Sequence, residues 1–473
     1  MSNAAPTTAA AADAPAAGSA SEAGRESLQE AIDRVGSPVS LLRDAQARPT
    51  VFPVAPEFSN WRSEQHSWRE TCALLDQSHH MTDLFLRGPG AAGLLEHLAV
   101  NSFAKFPVDR AKQFVAVNHD GHLIGDAILT HIDEDYYDLV GHQMVIDWAQ
   151  FHAETGDWDV EVTRDGNSIV RPGAPALFRY ELQGPTALPI MERLTGGEVP
   201  RIGFFHMTRF TIAGLQVRGI RHGMAGQPGF ELFGAWGDAD RVLEAILEAG
   251  ADHGLVRVGA KGYSTANLES GWVPSPLPAI FSGDGTADYR RWLPATSAGS
   301  LGGSFASERI EDYYLTPWDL DYGRTIAFDH DFVGRDALER LSEGPHRRKV
   351  TLEWNADDVR GIWGSLLEDG LPAKYMDLPK SRYALYQVDR VQVGDALVGQ
   401  SFDCGYIANE QAYVSLATLE PEHAEVGTEV TVTWGEDPVS HKPQVEPHRQ
   451  VQVRATVAPW PYVREAREHY RAS

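Results

Sequence analysis

Arg221-His222-Gly223-Met224-Ala225-Gly226-Gln227-Pro228-Gly229-Phe230-Glu231-Leu232-Phe233 is a glycine-rich turn running into an apolar strand, with one carboxylate set among the apolar residues. Glycine permits positive φ and close backbone approach. A carboxylate inside an apolar strand is costly unless donors reach it. A flat heterocycle with several N–H groups would supply those donors, whereas a plain hairpin would turn Glu231 to water. Read by itself the stretch is the plain hairpin, because short motifs recur by chance. The rest of the chain changes that balance.

Upstream lie Leu75-Asp76-Gln77-Ser78-His79-His80, then Phe85-Leu86-Arg87-Gly88-Pro89, then Leu182-Gln183-Gly184-Pro185 with Leu188 and Met191 after it. Downstream come Leu315-Thr316-Pro317-Trp318 and Asp331-Phe332-Val333-Gly334-Arg335. In this order, over about residues 57 to 440, the pieces resemble the aminomethyltransferase (glycine-cleavage T-protein) family. Within that superfamily, Phe58 to Gln65, Asp76 to Met81, Tyr263-Ser264-Thr265 and Leu268 to Trp272 are most similar to the tetrahydrofolate-dependent O-demethylases of methoxylated aromatic acids, the vanillate and syringate type.

The resemblance implies an α+β fold of two folate-binding lobes followed by a small antiparallel β-barrel. The expected organisation is a disordered tail over 1–25, the two-lobed region over 26–342 and the barrel domain over 343–473. Periodicity agrees in outline. Leu94, Leu95 and Leu98 have helical spacing, Phe114–Val117, Ala127–Leu129 and Tyr137–Val140 read as strands, and Asp120-Gly121 marks a turn. A helix is expected over Trp68–Leu75, and others over Ala187–Leu194 and Ala239–Ala249. Both lobes are expected to rest on antiparallel sheets. The Gly-, Ser- and Pro-rich passage from Pro274 to Ser307 reads as a functional or disordered loop. Short strands such as Arg348–Leu352, Ala412–Leu419 and Glu429–Thr433 predict the barrel.

The chain has 473 residues, 42% hydrophobic and 23% charged, enough for substantial cores. Its formal net charge of -25 argues against nucleic acid and against an anionic membrane surface as partners. No apolar run approaches the length of a membrane helix. The first residues lack the basic start and apolar block of a secretory signal. The two cysteines, Cys72 and Cys404, exclude a disulfide framework and leave too few thiolates for an ordinary structural zinc site. A cytoplasmic setting fits. No metal motif stands out, and Gly299-Ser300-Leu301-Gly302-Gly303 has the wrong spacing for a dinucleotide fingerprint. Oligomeric state is not legible.

Demethylating an aryl ether by displacement is slow because phenoxide leaves poorly and the incoming amine must be desolvated and aligned. Protonating the leaving oxygen and holding the three reacting atoms in line both help. The resemblance casts N5 of tetrahydrofolate as the acceptor and Tyr263 as the leaving-group acid; without it, Tyr263 would pass for a core tyrosine. His80 is carried over as hydrogen-bond partner or proton relay, with Gln77 in the same pocket. His79, adjacent, would point the other way in an extended segment. Glu231, Trp272 and Gln183 are carried over as folate contacts, although plain core packing would also account for Trp272. Two places depart from the family pattern. Gly125-Asp126 replaces paired aspartates, which weakens an aminomethyltransferase reading. Val140-Gly141-His142 stands near where vanillate-type relatives use an arginine to clamp the substrate carboxylate, so His142 is the candidate substrate contact there. Demethylation of a thioether or amine, and folate binding without turnover, are the alternatives.

Overall fold

The computed structural model describes residues 25–48, 50–436 and 440–470; apart from Arg25, the tail expected over 1–25 lies outside them. Eleven strands build the first two-thirds of the chain: β1 (Cys72–Asp76), β2 (Thr82–Arg87), β3 (Arg110–Val117), β4 (Leu123–Asp133), β5 (Tyr136–Gly141), β6 (Glu161–Asp165), β7 (Leu177–Gln183), β8 (Met207–Ile212), β9 (Leu215–Ile220), β10 (Gly229–Ala235) and β11 (Leu255–Val258). They form two sheets, a five-stranded one in the order β3-β4-β5-β2-β6 and a six-stranded one in the order β11-β1-β7-β10-β9-β8. The first is antiparallel throughout. The second is not, because β1 runs parallel to β11. That corrects the expectation of purely antiparallel lobes: a long crossover between β1 and β11 removes the need for a hairpin.

The helix expected over Trp68–Leu75 is also corrected. It begins earlier, at Trp61, where Asn60 caps it by accepting from the Ser63 amide, and it ends at Glu70. Cys72–Asp76 is instead the buried strand β1, paired with β7 on one side and β11 on the other. A short apolar run has no period that separates helix from strand; pairing on both edges decides it. The helices Ala91–Leu98, Ala187–Thr195 and Ala239–Gly250 lie where the leucine spacing places them.

The C-terminal strands β13 (Arg348–Trp354), β15 (Asp389–Val393), β16 (Ala396–Ile407), β17 (Ala412–Leu419), β18 (Glu429–Trp434) and β19 (Val451–Ala458) close into a barrel in the order β13-β17-β16-β15-β18-β19, around Leu352, Val391, Trp434 and Val453. Closure leaves no free sheet edge. The passage over 274–307 is ordered rather than loose: the Ala279 amide donates to Leu123 O at 2.9 Å and Leu277, Ile280, Phe281 and Tyr289 pack into the first lobe's core, while its last residues dock on the barrel. Its strand β12 (Leu301–Gly302) pairs in parallel with β14 (Tyr386–Gln387). The Ser304 hydroxyl donates to Thr433 O at 2.6 Å, and the Gly303 amide donates to Glu436 Oε2 at 2.8 Å. Glu436 also pairs with buried Lys374, and Arg43, from the N-terminal helix Pro38–Asp44, donates to Gly303 O at 2.8 Å. Among the described residues no helix is long and apolar enough to cross a membrane.

Gly303 has φ +100°, and a Cβ there would sit 2.1 Å from Val388 O. Gly303→Ala is therefore expected to lower stability by about 2 kcal/mol through backbone strain and overpacking. Denaturant unfolding followed by Trp434 fluorescence should show a lower midpoint, and an unchanged midpoint would mean the passage is not held as described.

Candidate active site

Strand β7 alternates Phe178, Tyr180 and Leu182 with Arg179, Glu181 and Gln183, and all six are buried. The apolar set packs into its own lobe. The polar set faces the other sheet, and Arg179 reaches across to it. Its Nη2 donates to Asp138 Oδ2 on β5 at 2.7 Å and to Asp83 on β2, while Nη1 donates to Glu231 Oε1 on β10 at 3.3 Å. Glu231 lies opposite Glu181 in the β7–β10 register, so two carboxylates share one face. A buried guanidinium is tolerated only when paired this thoroughly. Burial and the Asp83 charge push Asp138 up to about 8. Burial, reinforced by Glu231, pushes Glu181 up to about 8. Burial raises Glu231 as well, opposed by Arg179. The second oxygen of Glu231 takes no hydrogen bond from a described residue.

Gln77 and Ser78 follow β1 and are tied to the same strand, the Gln77 amide donating to Arg179 O at 2.9 Å and the Arg179 amide to Ser78 Oγ at 3.0 Å. The Gln77 side chain donates to Glu181, and its Oε1 is buried without a partner. Ser78–His80 form a turn rather than an extended segment, yet the two imidazoles still diverge. His79 Nδ1 lies 2.9 Å from Ser168 Oγ, a structural contact, whereas His80 Nε2 lies 3.0 Å from the Tyr263 hydroxyl, the rings 5.1 Å apart. Burial lowers His80 to about 4, with His79 and Arg179 adding to the effect, so its ring is neutral. Burial, then the charges of Glu181 and Glu231, hold the Tyr263 hydroxyl well above its ordinary value, and Gln77 is within its reach.

Tyr263 ends a short helix, Ala260–Tyr263, whose position is set from elsewhere. Glu64 accepts from the Gly259 amide through Oε2 at 2.9 Å and from the Phe58 and Ser59 amides through Oε1 at 2.7 and 2.8 Å. The stretch Phe58 to Gln65 therefore acts by fixing the turn that presents the tyrosine.

The structure brings Tyr263, His80, Gln77 and Glu231 together through Glu181 and Arg179. Gln183 stands apart in role: its Oε1 accepts from the Ala225 amide at 2.7 Å and its Nε2 donates to Gln227 O at 3.2 Å. It braces the glycine-rich turn, and a Cβ at Gly223 would fall 1.0 Å from that Nε2. Trp272 Nε1 donates to Asp126 Oδ2 at 2.9 Å, and burial raises the Asp126 carboxyl. Asp126 lines a narrow crevice with Ile124, His142 and Tyr386. His142 caps the helix Gln143–Thr155, its Nδ1 accepting from the Met144 amide at 3.4 Å, while the side chain stands exposed to solvent. A pocket of about 820 Å³ opens at the barrel end among Trp61, Trp354, Trp363, Tyr406 and Tyr413, and none of the expected site residues lines it. It lacks the proton-transfer pair and the buried acids, so the chemistry is assigned to the inter-sheet cluster.

Arg179, Asp83, Asp138 and Glu181 were not singled out by the sequence, and Asp126 was noted only as a departure from the family's paired aspartates. The alternation Arg179-Tyr180-Glu181-Leu182-Gln183 was the available signal, but alternation normally means a solvated face. Among the described residues no group of acidic, histidine or cysteine side chains is arranged to hold a metal ion.

Residues 44–274 match the GCVT N-terminal domain family. The chain is 44% identical over 454 residues to the syringate O-demethylase of a Sphingobium species, covering 95% of this chain and 98% of that protein. It is 28% identical to the sesamin methylene transferase of a Sinomonas species, over 79% and 82% of the two chains. The glycine cleavage system aminomethyltransferase T of Bartonella henselae superposes with a TM-score of 0.61 at 17% identity, covering 90% and 98%, a likeness of fold.

Arg179→Met leaves Asp83 and Glu231 without their shared cation and is expected to cost about 3–5 kcal/mol of stability. Equilibrium unfolding of the variant would show it, and a loss under 1 kcal/mol would mean the cluster does not hold the sheets. The depressed His80 sets a pH dependence. Between roughly pH 6.5 and 4 the unfolded chain binds a proton that folded His80 refuses, so stability falls as pH drops through that window. His80→Gln should make the fall in urea midpoint between pH 7 and 5 shallower; an identical fall would place His80 in water.

Proposed function

The chain belongs to the aminomethyltransferase (GCVT) family, and from that membership we propose that it is a tetrahydrofolate-dependent O-demethylase of a methoxylated aromatic compound of the vanillate or syringate kind, yielding a phenol and 5-methyltetrahydrofolate. The observation that carries the proposal is the Tyr263–His80 pair, 3.0 Å apart, set against an acid-rich cluster between the sheets. The near full-length similarity to a protein named syringate O-demethylase supports the substrate class. The two cysteines are free and buried, as suits a reducing cytoplasm.

The residues present suit a reduced pterin. Its amino and ring N–H groups need acceptors, and the cluster offers the unpartnered Gln77 Oε1, the open oxygen of Glu231, and Glu181 beside them. Glu231 and Trp272 are assigned to hold the ring, with Gln183 acting through the turn it braces. When bound, tetrahydrofolate supplies the N5 lone pair that accepts the methyl group.

His80 is neutral, so with its proton on Nε2 it donates to the Tyr263 oxygen and leaves the tyrosine O–H free for the aryl ether oxygen. The C–O bonding pair stays on that oxygen as the methyl group departs, and Tyr263 meets the growing negative charge with a hydrogen bond. Because its own pKa is raised, Tyr263 remains protonated across the neutral range and stands ready as a hydrogen-bond donor to the departing oxygen. The acceptor nitrogen loses one proton and the phenol gains one, so the overall reaction is proton-neutral.

Tyr263→Phe should reduce turnover of a methoxybenzoate by roughly 10²–10⁴-fold, the usual range for a lost acid, with tetrahydrofolate affinity retained. Production of 5-methyltetrahydrofolate measures it. A nearly silent variant would instead favour a thioether or amine substrate, which needs no acid on a leaving phenol. Absence of turnover in the wild-type protein, with folate still bound, would favour a non-catalytic folate-binding protein.

A further inference from the structure

We propose that Lys380, delivered from the barrel domain, is a positioning residue for methyl transfer: through Ser264 and Asn267 it fixes Tyr263 and Trp272 relative to one another. The inference rests on the demethylase reading above and adds to it the group that sets the acid against the pterin site.

The Lys380 side chain is 4% exposed and has all three ammonium protons in hydrogen bonds. It donates to Ser264 O at 2.7 Å, to Asn267 Oδ1 at 2.9 Å and to Asp403 Oδ2 at 2.6 Å. Ser264 follows Tyr263, so the first bond holds the end of the short helix that presents the hydroxyl. Asn267 grips the backbone of Trp272 on both sides. Its carbonyl accepts from the Trp272 amide at 3.1 Å, and its Nδ2 donates to Trp272 O at 3.0 Å. The same Nδ2 donates to Asp403 Oδ2 at 2.5 Å. Lys380, Asp403 and Asn267 therefore close a triangle, with Tyr263 and Trp272 attached to separate corners.

The barrel is shaped to deliver this group. The register of β16 against β17 shifts between Phe402 and Cys404, and Asp403 at that bulge has φ +47°. A bulge re-aims a side chain out of the alternation of its strand, and here the carboxylate meets Lys380 and Asn267. The chain at Lys380 lies along the same strand, bridging to Gly405, and the Tyr406 amide donates to Pro379 O at 2.7 Å. A Cβ at Gly405 would come within 2.8 Å of Leu268 Cδ1, so β16 approaches the segment closely. The lobe's own contacts to that segment fall elsewhere: Glu64 at Gly259, Gln65 at Thr265 and Arg69 at Glu269. A buried ion pair adds little net stability over apolar packing of the same volume. What an ammonium with three fixed acceptors supplies is position. Amine, methyl carbon and oxygen have to lie in line, and a misplacement of about 1 Å costs roughly 10²-fold in rate.

The test uses Lys380→Met and the double variant Lys380→Met/Asp403→Asn. The second leaves no carboxylate unpaired and keeps a residue that tolerates positive φ, so it folds even if the first does not. In hydrogen exchange of the unliganded protein, the Gly271 and Trp272 amides, both of which donate to Asn267 O, should exchange at least about 10-fold faster, with β1 within about 3-fold of wild type. With tetrahydrofolate and a methoxybenzoate, kcat should fall roughly 10- to 100-fold while KM for the methoxybenzoate stays within about 3-fold. In a Tyr263→Phe background the same changes should cost at least about 5-fold less, because no acid remains to be misplaced. Unchanged exchange at Gly271 and Trp272, or an equal loss of kcat in both backgrounds, would overturn the assignment of Lys380. Wild-type protein that demethylates nothing would instead sink the demethylase reading, and the exchange result would still decide whether Lys380 holds the segment.

Discussion

One guanidinium decides how the two sheets meet. Arg179 leaves β7 of the six-stranded sheet, takes Asp83 and Asp138 from the five-stranded sheet, and keeps Glu231 on its other side. The desolvation cost of burying this group is offset only if all its partners are in place. The arrangement therefore specifies a single juxtaposition of the lobes. It also turns Glu231 and Glu181 toward the space where Gln77, His80 and Tyr263 converge.

Burial acts on every titratable group of this region in the direction of neutrality. Asp138 and Glu181 hold protons they would lose in water, His80 refuses a proton it would accept there, and Tyr263 keeps its own. A site of neutral donors and acceptors suits a methyl transfer in which charge appears only transiently on the leaving oxygen. Arg179, neutralised by its acids, serves to build the site.

Much of the architecture was legible because its pieces are local. Leu94, Leu95 and Leu98 mark a helix by spacing, the Ala412–Leu419 run marks a barrel strand, and Asp120-Gly121 marks a turn. Where local pattern was silent, expectation failed. Cys72–Asp76 looked like the end of a helix because an apolar run of that length has no distinguishing period, and the passage over 274–307 showed no pattern because its order comes from groups distant in sequence, such as Leu123 and Met144 of the first lobe and Thr433 and Glu436 of the barrel. In the site, Tyr263, His80, Gln77 and Glu231 were found through resemblance to known stretches. Arg179, Glu181, Asp83 and Asp138 were not, since polar residues alternating along a strand ordinarily face water.

From the order of residues alone came the family, the kind of reaction and the residue types that could perform it, because motif spacing and side-chain chemistry are properties of the chain itself. Only the tertiary structure decided that Gln183 braces a turn and that Trp272 is bound to Asp126. Those outcomes depend on which distant groups share a buried volume, and desolvation and hydrogen-bond partners have no value until that volume exists.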